Sequence, residues 1–293
     1  MKEKTRMAWW KRLIVFLLTF LGICLILYPI FGSIISSMVQ TQAIDGYLSD
    51  MASESTLEMD AQIQAARDYN TKLLNSSAIM TDPFSMEAFQ DALEGYDELL
   101  KINDTGMMGY LDIPAINVHL PIYHGTGSYA LQHGVGHLET TSIPVGGEST
   151  HAVLSAHSGL PNATMFDDLP QMQIGDTFQI TVLNQTLSYE VYAIETVLPD
   201  QTESLYIQPG HDLVTLVTCT PYGINTHRLL VHGERIPDTD SDTENNTQQP
   251  PAQEQQFLSV KSKLLLIVCG AGLALLLLLI IIIVARRKIK NRN

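Results

Sequence analysis

Cysteine is scarce in this sequence of 293 residues, and its placement excludes a disulfide in the central region. Cys24 and Cys269 lie inside long apolar segments, so Cys219 is the single thiol between them. A lone thiol in an oxidising environment is a liability unless it is used in chemistry or buried. Two interpretations stay open at this point, a buried structural cysteine and a reactive one.

Basic residues are equally scarce in the central region. Residues 36–262 hold 30 Asp and Glu against 6 Lys and Arg, which gives this region a net charge of −24. Such a region repels phosphates, so we predict no nucleic-acid partner. The spacing His-Glu-x-x-His and paired cysteines are also absent, and despite 9 histidines we predict no cofactor and no required metal.

The two ends of the chain have the pattern of membrane anchors. Leu13 to about Ile35 and Leu264–Val284 are uncharged and apolar, long enough to cross a bilayer. Basic residues flank each segment on its terminal side, which predicts a two-pass protein of the cell membrane with both termini cytoplasmic. A cleaved signal peptide is the alternative for the first segment, but that segment is long and no Ala-x-Ala site follows it.

Composition and periodicity divide the remainder into helices, strands and a linker. Ser55–Leu74 is predicted to be a helix with a capping box of Ser55 and Glu58, and Ser85–Leu100 a second helix. Short β-branched and apolar segments follow from Gly109, and together they predict a closed or nearly closed barrel. The predicted strands are Tyr110–Ile113, Ile116–Ile122, His151–Ser155, Phe178–Val182, Leu187–Ile194, Leu213–Thr218 and Arg228–Glu234.

The predicted organisation has six parts. They are a basic tail and transmembrane anchor (1–36), a helical region (37–106), a β-barrel catalytic domain (107–236), a flexible polar linker (237–262), a transmembrane helix (263–285) and a basic cytoplasmic tail (286–293).

A reactive role for Cys219 is suggested by the residues around it. The uncharged segment Thr215-Leu216-Val217-Thr218 precedes it, and a stretch rich in turn-forming residues separates it from Arg228. If the flanking strands pair as a hairpin, the thiol and the guanidinium meet at one loop mouth. A nearby cation favours the thiolate, which is the nucleophilic form.

This pattern resembles the active-site signature of sortases, the cysteine transpeptidases of Gram-positive cell envelopes. The segment Ser155–Pro161 around His157, with Ala163–Leu169 after it, is similar to the sortase segment that carries the catalytic histidine. The resemblance implies a mainly β fold, a closed eight-stranded barrel with an N-terminal helical lid region, flanked here by two transmembrane helices. It also implies Cys219 as nucleophile, His157 as proton donor, Arg228 as anion stabiliser and Thr218 as a supporting donor.

The loop Thr81-Asp82-Pro83-Phe84 resembles the lid of class C sortases, which assemble pili. There the aspartate pairs with the active-site arginine, and the aromatic ring covers the cysteine. This resemblance implies that Asp82 reaches Arg228 and that Phe84 covers Cys219. It further implies cleavage of a Leu-Pro-x-Thr-Gly-like sorting signal after Thr and transfer to a pilin Lys amine by a monomeric enzyme in contact with membrane lipid.

Several alternative functions compete with this interpretation. A papain-like protease places its cysteine before its histidine, whereas His157 precedes Cys219 here. Acidic pairs such as Asp167-Asp168 suggest weak calcium binding at most. A cell-wall-anchoring sortase of the housekeeping type and a non-catalytic envelope binding module remain as alternatives. The second of these would not need the cysteine, histidine and arginine together.

Overall fold

The computed structural model describes residues 2–75 and 95–237, in which two helices precede a closed β-barrel. The predicted lid residues Asp82, Pro83 and Phe84, the predicted linker and the predicted second membrane span all lie outside the described residues.

Helix α1 (Lys2–Met51) is longer than the predicted anchor and continues without a break through Pro29. Between Ile14 and Ile30 most of its large apolar side chains are exposed, as expected for a surface that lipid would cover. From Ile34 onward one face becomes buried, and Ile44 and Tyr47 belong to the main hydrophobic core. Gln40, Ile44 and Tyr47 are buried at spacings of four and three residues, which keeps one face of this part of the helix against the protein. Among the described residues, α1 alone is long and apolar enough to cross a membrane.

Helix α2 (Thr56–Asn75) confirms the helix predicted for this stretch. The Ser55 hydroxyl accepts from the Glu58 N–H at 3.2 Å, and the Glu58 carboxylate accepts from the Ser55 N–H at 3.2 Å, which is the predicted capping box. The apolar side chains of Ile63, Ala66, Tyr69 and Leu73 are buried, and the amide of Asn70 makes two hydrogen bonds to the Ile143 backbone. This reciprocal pair fixes the helix against the barrel.

The prediction of a second helix over Ser85–Leu100 is wrong for residues 95–100, the part of it that the structure describes. Residues 95–100 form only a 3₁₀ turn, Tyr96–Glu98. Gly95 and Leu100 take φ angles of 84° and 55°, which lie in the left-handed region and cannot continue an α-helix. Leu100 nevertheless has no exposed surface, so its apolar side chain packs in the core without lying on a helix.

Eight strands close into a barrel in the order β1-β2-β3-β4-β7-β8-β6-β5, which confirms the predicted closed eight-stranded barrel. Their bounds are β1 Met107–Ile113, β2 Val118–His124, β3 Val135–His137, β4 Thr150–Ser155, β5 Thr177–Val182, β6 Gln185–Val197, β7 Asp212–Thr220 and β8 His227–Arg235. A short helix α3 (Ser128–His133) joins β2 to β3. Neither α3 nor the three-residue strand β3 was predicted.

Strand β7 lies between a parallel neighbour, β4, and an antiparallel neighbour, β8. Its alternate side chains serve two cores. Val214 and Leu216 belong to the main core, whereas Val217 joins a second cluster with Val153, Leu205 and Leu230 on the other face. Since side chains alternate along a strand, Cys219 shares the face of Val217.

Candidate active site

Cys219 and Arg228 are directly opposite each other in the ladder between β7 and β8. The turn between them begins at Pro221, whose carbonyl accepts from the N–H groups of Ile224 and Asn225 at 3.0 Å each. Gly223 and Asn225 supply the positive φ angles that this tight turn requires. Both Cys219 and Arg228 are partly exposed, so the predicted hairpin does bring thiol and guanidinium to one accessible edge.

His157 lies two residues beyond β4, beside the same end of β7. Its two sequence neighbours are both tied to β7: the Ala156 N–H donates to the Val217 carbonyl at 3.1 Å, and the Ser158 hydroxyl donates to the Cys219 carbonyl at 2.7 Å. The parallel pairing of Ser155 with Val217, continued by two residues, puts His157 level with Cys219. The fold therefore brings the three predicted catalytic residues to one end of β7.

Residues 157–166 form a closed loop, which we call the His157 loop. The Phe166 N–H donates to the His157 carbonyl at 3.1 Å and closes the base of the loop. The Gly159 N–H donates to the Asp167 carboxylate at 2.7 Å. Partial burial raises the pKa of Asp167, although the hydrogen bond from Gly159 opposes that change. The Asp167 carboxylate, considered above for weak calcium binding, thus accepts a hydrogen bond that stabilises this loop.

Thr218 lies on the opposite face of β7 from Cys219 and is buried. Its hydroxyl donates to the Ala156 carbonyl at 2.8 Å, directly before His157. This contact holds the start of the His157 loop to β7. A direct role of Thr218 toward the substrate remains a prediction. The hydrogen bond to Ala156 lies on the face of β7 opposite Cys219 and holds the backbone next to His157.

The guanidinium of Arg228 is held by its own hairpin. Its Nη1 donates to the carbonyls of Asn225 and His227, at 3.3 Å and 3.1 Å. No carboxylate of the described residues forms an ion pair with it. The guanidinium therefore keeps donors for an anion or a carbonyl, and its predicted partner Asp82 is outside the described range.

Two residues at the mouth of the site were not singled out from the sequence. Tyr222 and Ile224, in the turn between β7 and β8, are 65% and 66% exposed despite being large and apolar. The Tyr222 ring lies beside Gly159 of the His157 loop. Their signal in the sequence is an apolar residue on each side of a turn glycine, and such a turn offers an apolar rim to a ligand.

No metal centre is evident in the part of the chain that the structure describes. Within residues 2–75 and 95–237 no three His, Cys, Asp or Glu side chains converge in a way that would hold an ion. The absence of a metal requirement remains a prediction from the sequence.

Known proteins resemble this chain in sequence and in fold. A family model described as the sortase domain matches residues 111–236. The solved structure of sortase C1 from Streptococcus agalactiae is 42% identical, with a TM-score of 0.63, over 68% of this chain and 100% of that one. The chain belongs to the sortase family. It is therefore a cysteine transpeptidase.

Other relatives place this sortase more narrowly. Sortase C-1 from Actinomyces oris is 47% identical with a TM-score of 0.56, over 62% of this chain and 99% of that one. Sortase A of Streptococcus agalactiae serotype III is only 25% identical, over 76% of this chain and 83% of the relative. The higher identity to the C-type structures agrees with the class C resemblance of the sequence.

Proposed function

We propose that this sortase cleaves a Leu-Pro-x-Thr-Gly-like sorting signal after Thr and transfers the acyl group to a Lys amine of a pilin. The observation that carries the proposal is the convergence at the end of β7. Cys219 faces Arg228 across the β7–β8 ladder, and both neighbours of His157 are hydrogen-bonded to β7. A nucleophile, a proton carrier and an anion stabiliser are what acyl transfer through a thioester requires.

Each residue then has a defined step. The Cys219 thiolate attacks the Thr carbonyl carbon, and Arg228 stabilises the negative charge that develops on the carbonyl oxygen. His157 protonates the leaving Gly amine as the C–N bond breaks, which leaves a thioester on Cys219. The pilin Lys amine attacks that thioester, gives up its proton to His157, and releases the thiolate as the new amide forms.

The membrane arrangement belongs to the same proposal. Five Lys and Arg residues precede or begin the apolar part of α1, and the folded barrel follows it. Under the positive-inside rule the N-terminus is cytoplasmic and the barrel lies outside the cell. The predicted second span would return the chain to the cytoplasm. A catalytic domain outside the cell is where pilins and an envelope amine are available.

The test uses the full chain in detergent with a pilin that carries the sorting signal, analysed by mass spectrometry. We expect a thioacyl adduct and Lys-linked multimers with the wild type and neither with Cys219→Ala. Arg228→Ala should lower kcat about 10²–10³-fold, the usual loss for a removed oxyanion donor. Arg67→Ala, which removes an equal charge from the exposed face of α2, is the matched control.

The same experiment separates the alternatives. An adduct that is resolved by cell-wall amines and not by pilin Lys would favour a housekeeping-type sortase. Unchanged chemistry in Cys219→Ala would refute the catalytic proposal. If the wild type is silent, Asp82→Ala and Phe84→Ala test the predicted lid, since a gain of activity in either variant would indicate a blocking segment.

A further inference from the structure

The membrane-anchoring helix α1 contacts the loop that carries His157. At Gly32 the helix approaches so closely that an added Cβ would lie 2.6 Å from the Asn162 Cβ and 2.9 Å from its Cα. Real Cβ atoms do not come this near to other heavy atoms, so a side chain at residue 32 must displace the loop or the helix. At Gly22 and Gly46, on the same helix, an added Cβ would meet nothing within 4 Å.

A second contact lies two turns farther along α1. Gln40 is buried, and its Nε2 donates to the Met165 sulfur at 3.2 Å and to the Ser36 hydroxyl at 3.3 Å. Met165 is also buried and takes a positive φ of 39°. An uncommon backbone conformation of this kind persists when the surroundings hold it. The helix therefore contacts the His157 loop at two separate points.

The contacted residues are linked to the catalytic end of β7 by a short path. Met165 precedes Phe166, which is fully buried and donates its N–H to the His157 carbonyl at 3.1 Å. At the other side of the loop, the Ser158 hydroxyl donates a hydrogen bond to the Cys219 carbonyl. The His157 loop is thus held between α1 and β7, and a displacement at Asn162 or Met165 is transmitted to the backbone of His157.

We propose that α1 is a positioning element for His157, with Gly32 and Gln40 as positioning residues on the membrane anchor. The inference rests on the proposed function, in which His157 exchanges protons with Cys219 and the substrate. In this arrangement the anchor does more than tether the barrel. Its packing sets where the imidazole stands relative to the thiol.

The position of the contact along α1 locates the active site relative to the bilayer. Gly32 follows Leu13 by a rise of about 28 Å, at 1.5 Å per residue, which is close to the thickness of the hydrocarbon core. The His157 loop therefore lies at the outer surface of the membrane. The thioester would form close to the lipid headgroups.

The test compares two Gly→Ala variants of the full chain in lipid nanodiscs, with Cys24 and Cys269 replaced by Ser in every variant. Gly32→Ala introduces the clash, and Gly46→Ala is the matched control in open space. Both replace glycine by alanine inside a helix and so gain the same intrinsic propensity. We measure kcat and KM on a sorting-signal peptide and the pH profile of Cys219 alkylation.

We expect Gly32→Ala to lower kcat about tenfold, leave KM within twofold and shift the pH profile of alkylation, while Gly46→Ala matches the wild type. A general loss of folded protein would not move a pH profile. Asn162→Gly removes the nearer of the two opposing atoms and leaves the Cα 2.9 Å away, so it should restore only part of the activity lost in Gly32→Ala. Gln40→Leu should shift the profile in the same direction without adding bulk against Asn162.

Three outcomes decide the matter. Equal behaviour of Gly32→Ala and Gly46→Ala, or an alkylation pH profile of Gly32→Ala that matches the wild type, would overturn the positioning role. If His157→Ala is inactive in the same assay, the proposed function survives that failure. If His157→Ala keeps full activity, the catalytic role of His157 is refuted and the positioning proposal with it.

Discussion

The stability of the barrel should fall in mild acid because a buried histidine must remain neutral. His137 on β3 has no exposed surface. Its Nε2 faces the Ser142 carbonyl at 2.8 Å, and since a carbonyl only accepts, Nε2 carries the proton. Its Nδ1 then accepts from the Tyr96 hydroxyl at 2.9 Å, which itself accepts from the Gly125 N–H. Each group of this network is satisfied with a neutral ring.

The size of the effect follows from the pKa. Burial lowers the pKa of His137 from 6.5 to about 4. The unfolded chain therefore binds a proton at a higher pH than the folded chain. The contribution of His137 to stability is complete above pH 6.5 and is lost as the pH falls toward 4. At pH 5, one and a half units below the unfolded value, the loss is about 2 kcal/mol.

We would measure urea unfolding of the full chain in detergent by circular dichroism between pH 7 and pH 5. His137→Gln keeps a donor for the Ser142 carbonyl and does not titrate, so it is the matched variant. The wild type should lose about 2 kcal/mol more than this variant over that range. Burial lowers the pKa of His151 to about 4 as well, but this contribution is shared by both proteins and cancels. A difference that does not change with pH would refute the reasoning.

Two further predictions concern packing. Asn70→Ala removes two hydrogen bonds to the buried Ile143 backbone and should lower the free energy of unfolding by about 3 kcal/mol in the same urea assay. Asn75→Ala, at the exposed end of α2, is the control and should change it by less than about 0.5 kcal/mol. Gly233→Ala would put a Cβ 2.5 Å from the Phe178 ring and should lower the melting temperature, while Gly127→Ala, with nothing within 4 Å of an added Cβ, should not. Equal losses in either pair would contradict the packing argument.

Local features of the sequence predicted much of the fold because their physics is local. The capping box of α2 involves residues three positions apart, and the hairpin around Cys219 requires only turn formers between two apolar strands. Short β-branched and apolar segments between turn formers predicted seven strands. The three-residue strand β3 was missed because it is too short to stand out as an apolar segment, and Leu100 was misassigned because a buried apolar residue need not lie on a helix.

The sequence by itself determined which reactive groups the outer region contains, a single usable thiol and an arginine nine residues after it. It also determined an apolar segment long enough to cross a membrane. Only the tertiary structure decided which groups share space. His157 reaches Cys219 through parallel pairing of strands some sixty residues apart, and α1 reaches the His157 loop across an even larger separation. Such contacts depend on how the barrel closes and on how helices pack against its surface. Neither can be read from the residues that adjoin each contact in the sequence.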